Sequence, residues 1–378
     1  MSSIPVTPLW VDDQQQLDSL CASWRQQAAI AVDTEFMRST TFYPEAALFQ
    51  VGDGKGCYLI DPLAIRDFSA LRELMLDPAV TKVMHSCSED LEVFQVFLDL
   101  VPSPLFDTQL AAAFAGHGFS LGYAALVDVL VGVTIPKNET RSDWLLRPLS
   151  QPQLQYAALD VAYLLVVYGL LRKMLRELDR LAWVEEDCAQ VVAQARRPNR
   201  PEDFYTKIKQ AWKLDSRQLA VLQQLAAWRE CEARQRNVPR NRLVKENALL
   251  EMALTLPDQV QDLKRIEGIP PRLVKSDGEA LLDIIAEALQ QPNALYPALL
   301  PRPLPPAQGS VLKQLRARVQ EIAEALGLAP EILARKKDYE ELIRSREAFG
   351  EYRLPASLGG WREEVLGKQL LDMLSSTA

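Results

Sequence analysis

The sequence predicts an α/β domain, a mixed sheet flanked by helices, followed by two all-α helical modules. Three observations lead there. Short apolar, β-branched runs separated by turn residues crowd into the first 110 positions. Helical periodicity then takes over as far as residue 195. Beyond it lie two helical stretches, divided by a linker at 291–310 that holds six prolines. The expected domains are 1–200, 204–292 and 308–378, a division that suits a chain of 378 residues.

In order, residues 12–27 read as a first helix, acidic at its start and apolar at Leu17, Leu20, Cys21 and Trp24. The stretch 29–36, A-I-A-V-D-T-E-F, is the pattern of a buried strand running into two acids. A loop at 38–45 leads to two more strands, A-A-L-F-Q-V-G-D and G-C-Y-L-I-D-P, broken by the turn G-D-G-K-G. These three strands are expected as an antiparallel meander. Residues 68–76 form a helix, 80–86 a fourth strand, and 88–100 an amphipathic helix with Ser88 as its expected N-cap. Residues 105–108 are short and extended. From 108 to 169 the pattern is mostly helical, with a loop at 136–148. A polar, proline-containing linker at 195–203 closes this unit. The two segments beyond it share length and rhythm, which suggests two copies of one small module.

Composition narrows the class. The chain is 48% hydrophobic and 24% charged, as soluble globular proteins are. No apolar run approaches the ~20 residues of a membrane span, and the N-terminus lacks the pattern of a secretory signal. Five scattered cysteines without a CxxC pair, and only two histidines, argue against disulfides and zinc. A cytoplasmic monomer is expected, with no membrane partner. The net charge of −8 is uneven: residues 1–200 hold 16 basic and 25 acidic side chains, and the remainder 26 and 25.

Residues i and i+2 of a strand share a face, so Asp33 and Glu35 lie together with Thr34 turned away. Two adjacent carboxylates at the end of a buried strand repel and resist desolvation, a cost that a divalent cation removes. Asp90 follows H-S-C-S-E at a strand-to-helix junction. Tyr156 and Asp160, in Q-Y-A-A-L-D-V-A-Y-L-L, stand one helical turn apart on one face. Singly, each has an ordinary role: Asp90 as a first-turn acid, Tyr156 as a tyrosine at the core's rim, Asp160 paired with an arginine such as Arg141. As a set they are far more specific.

That set, D-x-E on an early strand, D after a second strand and Y-x-x-x-D on a late helix, resembles the DEDD exonuclease superfamily in its tyrosine-bearing branch. The stretches V-D-T-E-F, H-S-C-S-E-D-L-E-V-F, D-T-Q-L-A-A-A-F and S-D-W-L-L-R-P-L-S-Q-P-Q-L-Q-Y-A-A-L-D-V resemble the ribonuclease D family over roughly residues 8–195. The helical segments resemble helicase-and-RNase-D C-terminal (HRDC) modules. The resemblance implies a ribonuclease-H-like exonuclease domain in which Asp33, Glu35, Asp90 and Asp160 hold two divalent ions, Mg²⁺ or Mn²⁺. Such hard ions take oxygen ligands, and a pair about 3.5–4 Å apart can clamp both oxygens of an in-line phosphoryl displacement. By the same resemblance Asp33 bridges the ions, Glu35 and Asp160 complete the site for the attacking water, Asp90 serves the second ion, and Tyr156 orients the water. It further implies 3′→5′ hydrolysis releasing 5′-mononucleotides from structured RNA, tRNA precursors in particular.

For RNA contact the loops offer Phe42 and Tyr43, with Phe36 beside them, as stacking platforms, and Lys137, Arg141 and Arg147 as phosphate contacts. The stretch 228–245 carries Arg229, Arg234, Arg236, Arg240, Arg242 and Lys245 against two acids, an electrostatic footprint for nucleic acid or a solvated, salt-bridged helix face. Two other readings remain open at this point: the same chemistry on DNA, since the motif detects no 2′-hydroxyl, and a non-catalytic nucleic-acid-binding adaptor.

Overall fold

The computed structural model describes residues 4–136 and 142–376. A six-stranded mixed sheet forms the centre of the first part of the chain, in the order β1-β4-β3-β2-β5-β6. The strands are β1 (Pro8–Val11), β2 (Ala29–Met37), β3 (Glu45–Gly52), β4 (Cys57–Ile60), β5 (Thr81–Met84) and β6 (Leu105–Asp107). β3 runs antiparallel to both β2 and β4, the meander expected from the turn residues. β5 lies parallel to β2, and β6 to β5. The edge strand β1, parallel to β4, was not expected, because P-L-W-V is short and begins with proline.

The period of β2 sorts the layers. Ile30 and Val32 point to one face, into a core built with α1 (Gln14–Trp24), α2 (Ser69–Leu76) and α3 (Ser88–Leu98). Ala31 points to the other, against α4 (Thr108–Phe114), α5 (Tyr123–Val131), α6 (Gln151–Ala162) and α7 (Leu164–Glu177). Helix α8 (Leu181–Ala195) completes this part. Gln151–Glu177 is long and apolar enough to cross a membrane by length and composition, with a mean hydropathy of 1.6. It is instead the α6–α7 pair, which puts Ala158, Val161, Leu164, Val167, Leu171 and Leu175 into the core.

One expected cap is absent. α3 begins at Ser88 itself, with Cys87 at the N-cap and no side-chain cap bond. Asp107, at the end of β6, does the organising: its carboxylate accepts from the backbone N–H groups of Ser86 (3.1 Å) and Cys87 (3.0 Å). The same group caps α4 through Gln109 N (2.7 Å).

The chain divides into two compact units. The first holds residues up to Met37, Glu45–Arg196 and Leu304–Ala378. Its last segment contributes α14 (Gly309–Leu326), α15 (Pro330–Leu333), α16 (Lys336–Phe349) and α17 (Lys368–Ser376), the helices of the described residues being numbered along the chain. This segment is welded to α8 within the unit. Trp361 stacks on Trp183 at 4.7 Å, and the Asp187 carboxylate accepts two bonds of 2.7 Å from Arg362 and one of 2.9 Å from Trp361 Nε1. The second unit comprises Arg38–Pro44 and Arg197–Pro303. It is built from α9 (Ser216–Gln235), α10 (Arg240–Leu243), α11 (Glu246–Thr255), α12 (Val260–Leu263) and α13 (Pro271–Gln290). Asp215 opens α9 with a capping box to Gln218.

Candidate functional site

Asp33 and Glu35 stand on the face of β2 that looks toward α6, and the strand bulges between Glu35 and Phe36 just beyond them. Bulges of this kind re-aim side chains next to sites. From α6 comes Asp160, and one carboxylate oxygen from each of these three residues lies within 4.8 Å of the others. Tyr156 stands one turn earlier on the same helix, its hydroxyl near enough to Asp160 to favour the ionised carboxylate. Asp90 arrives from the opposite layer, in the first turn of α3, and is buried. It is held by Thr34, whose hydroxyl donates to Asp90 Oδ1 at 2.5 Å. Thr34 does point away from the two acids, as the strand period requires, and that is what lets it anchor the fourth acid. Gln50 on β3 pairs opposite Asp33 and so shares its face. Its side-chain amide is fully buried with no partner among the described residues.

The charges are unbalanced. Burial, then the charges of Asp90, Asp160 and Glu35, hold Asp33 well above the usual carboxylate range. Glu35 is pushed up to about 9 by burial and by Asp160 and Asp90. Asp160 is pushed to about 8 by burial and Asp90, against the opposing effect of the Tyr156 hydroxyl. Asp90 rises only to about 6, because bonds from Thr34 and from its own backbone N–H at the helix start counter its burial. Among the described residues, the side-chain charges that act on these four are other carboxylates. Such a group of hard oxygen donors, with an orphaned amide at its edge, fits divalent cations of the Mg²⁺ and Mn²⁺ kind.

The residues expected to touch RNA are placed differently. Lys137 and Arg141 lie outside the described residues. Arg147 is committed within the first unit: it donates to both Asp61 oxygens (2.9 and 2.7 Å) and to the carbonyls of Ala47 and Trp144. Phe36 packs against the core on the α1–α3 side. Phe42 is buried, 6% exposed, in the core of the second unit, with its backbone N–H on Asn237 and the Arg240 guanidinium over its ring at 4.5 Å. It offers no free face to a base. Arg234 and Arg240 both close on buried Glu230, at 2.9 and 2.8 Å. Burial pushes Glu230 up, but bonds from Arg240 and Arg234 outweigh it and hold the carboxyl below its usual range. Arg236 is paired with Glu232 (2.7 Å) and Asp277. The basic cluster is thus largely an internal framework, and Arg242 and Lys245 are its exposed members without an ion pair among the described residues.

A mixed sheet with acids converging from a central strand, a crossing helix and a late helix defines a 3′→5′ exonuclease of the DEDD class, whose members depend on divalent metal ions. A family model described as 3'-5' exonuclease matches residues 8–176, an HRDC domain model matches 218–285, and a model for the ribonuclease D C-terminal HRDC domain matches 306–370. Ribonuclease D of Pseudomonas paraeruginosa is 49% identical over 97% of this chain and 97% of its own. Ribonuclease D of Escherichia coli is 36% identical over 95% of this chain and 96% of its own. The crystal structure of E. coli RNase D, described as an exoribonuclease involved in structured RNA processing, superposes with a TM-score of 0.91 at 34% identity, covering 98% of this chain and 99% of that one. The chain belongs to the ribonuclease D family, a family of 3′→5′ exoribonucleases.

Proposed function

We propose that this enzyme trims the 3′ ends of structured RNAs, tRNA precursors among them, releasing 5′-mononucleotides. Two divalent ions, Mg²⁺ or Mn²⁺, would be held by Asp33, Glu35, Asp90 and Asp160. The observation that supports this best is the meeting of the Asp33, Glu35 and Asp160 oxygens within 4.8 Å, with the neighbouring charges of Asp90, Asp160 and Glu35 all acting to raise the Asp33 pKa. Bound there, the ions supply Lewis acidity toward the attacking water and the phosphate oxygens. The chain's own part is orientation. Asp33, flanked by the other three acids, would help to hold both ions. Tyr156 lies beside Asp160, and burial together with the Asp160, Glu35 and Asp33 charges raises its pKa. The phenol therefore stays protonated at neutral pH, orienting the water as a hydrogen-bond partner rather than acting as the base.

Residues 1–200 would form the catalytic domain, with 204–292 and 308–378 as HRDC-type modules. Exposed Arg242 is the member of the basic cluster we assign to phosphate contact. Tethering such a module raises the effective concentration of an RNA end at the site. A cytoplasmic monomer suits this work.

The test is a 5′-labelled RNA with a single-stranded 3′ tail, incubated with Mg²⁺, with chelator, and with Asp160→Asn. A ladder shortening from the 3′ end that chelator and substitution both abolish is expected. Full activity of Asp160→Asn, or cleavage unaffected by chelator, would refute the assigned site. The same substrate in DNA tests the choice of sugar.

A further inference from the structure

Helices α6 and α7 follow each other with one residue, Tyr163, between them. In an uninterrupted helix the N–H of residue 163 would donate to the carbonyl of residue 159. Here it donates to the hydroxyl of Tyr123 at 3.3 Å, and that hydroxyl donates onward to Leu159 O at 3.0 Å. One tyrosine oxygen has replaced one rung of the ladder. Insertion of a side chain into the i→i−4 series is an established cause of a helix break. The position of this break matters, since Leu159 is the residue directly before Asp160.

Tyr123 does not belong to the broken helix. It is the first residue of α5, and its ring rests on His85 at the end of β5, centroids 5.6 Å apart. His85 is itself pinned, its Nδ1 lying 2.9 Å from Thr108 Oγ1, which donates to Met84 O at 3.0 Å. Burial lowers the His85 pKa, in keeping with a neutral ring. A chain of contacts thus runs from the strand next to β2, through His85 and Tyr123, to the carbonyl beside Asp160. Burial and the Asp160 charge also raise the Tyr123 pKa, so its hydroxyl keeps the proton it donates.

We propose that Tyr123 is a positioning residue: by holding open the ladder at Leu159 and Tyr163, its hydroxyl sets the direction of the last turn of α6 and hence where Asp160 meets Asp33 and Glu35. This rests on the assignment of Asp160 as a metal-holding residue. In Tyr123→Phe the ring and its packing remain, while the inserted oxygen is gone. Tyr163 N–H is then free to bond Leu159 O directly, which straightens the junction and swings Asp160 away.

The test compares the full-length protein with Tyr123→Phe and with Tyr123→4-aminophenylalanine, which restores a para group able to donate and accept. Asp160→Asn runs alongside. Three quantities are read: Mn²⁺ affinity by calorimetry, kcat and KM separately, and hydrogen exchange of the Tyr163 amide. Supporting outer groups typically account for 10–100-fold in metal affinity or activity. Tyr123→Phe is expected to weaken Mn²⁺ binding by about 10-fold and to lower kcat by about 10–100-fold with KM little changed. Its Tyr163 amide exchange rate should change, and the 4-amino variant should recover most of the loss. Mn²⁺ affinity and kcat of Tyr123→Phe equal to the parent's, beside a damaged Asp160→Asn, would overturn the positioning role and leave the site assignment standing. An Asp160→Asn that binds Mn²⁺ normally would sink the assignment beneath it. Should Tyr123→Phe fail to fold, the 4-amino variant decides: parent-like metal binding supports the inserted polar group, and lost binding in a folded protein refutes it.

Discussion

Binding a divalent ion to this site should expel protons, and the structure says roughly how many. With no ion bound, Glu35 titrates near 9 and Asp160 near 8, so at pH 7 both carry a proton almost all the time. A carboxyl with a pKa of 8 is about nine-tenths protonated at pH 7, and one at 9 is almost fully so. These two alone therefore release more than one proton when an ion takes their place. At pH 9 both groups are far less protonated, so the release from these two falls. Affinity for Mn²⁺ should rise correspondingly between the two pH values. The assay is titration calorimetry in buffers of different ionisation enthalpy, whose slope gives the proton count, repeated with Asp160→Asn. That variant loses one group that is protonated at pH 7, so its release at pH 7 should be smaller. A count below about half a proton at pH 7, or one that does not change by pH 9, would refute the picture of mutually destabilised carboxyls.

The same shifts set the pH dependence of the metal-free protein. Because the folded-state pKa values of Glu35 and Asp160 lie above their unfolded values, the unfolded chain binds fewer protons across the interval, and stability falls as pH rises from about 4 to about 9. The unfolding free energy from denaturant titration should drop over that range by an amount on the order of a few kcal/mol and recover with Mn²⁺; a stability that rises with pH contradicts this. Gly52→Ala should damage activity from a distance, since a Cβ there would sit 2.8 Å from Val161 O, next to Asp160. Overpacking of this kind costs about 1–3 kcal/mol, and a variant with parent-like kcat and melting temperature would show that α6 can give way. Asp187→Ala strips the half-buried Arg362 guanidinium of both its 2.7 Å bonds, leaving it only Ile332 O, and should cost about 1.5–3 kcal/mol. Chemical unfolding checks the magnitude, and limited proteolysis should cut the C-terminal segment first; a shift under about 1 kcal/mol would mean that the Trp361–Trp183 stack holds the segment unaided.

What could be read from the sequence depended on how far apart the partners lie. The D-x-E pair was legible because strand period is local, and Tyr156 with Asp160 because helix period is too. That Asp90 joins them depends on β5 lying beside β2, and sequence offered it only through resemblance to known exonucleases. Thr34 shows the limit of the local rule: the period placed it on the far face, but its bond to Asp90 spans 56 positions. Phe42 was misjudged for the same reason. An aromatic in a loop near the acids reads as exposed, yet its cover comes from Asn237 and Arg240, almost 200 positions on. The arginine cluster was half readable, since Glu230 and Arg234 stand four apart on one helix, whereas Asp277, the partner of Arg236, belongs to another helix entirely.

The interleaved course of the chain has a consequence for its synthesis. The first unit is assembled from pieces that end at residue 37, resume at 45, stop at 196 and return only at 304. On a ribosome, the helices that Trp361 and Arg362 fasten to α8 emerge last, after the whole second unit has been made. The second unit in turn needs the heptapeptide 38–44, delivered early by the strand that bears Asp33 and Glu35. Its covering layer is therefore in hand before the helices it must cover exist. Vectorial folding from the N-terminus can complete the second unit while the first still waits for its final helices. A nascent chain stalled short of residue 361 would carry the acidic site on a sheet whose α8 flank is still bare of its tryptophan stack.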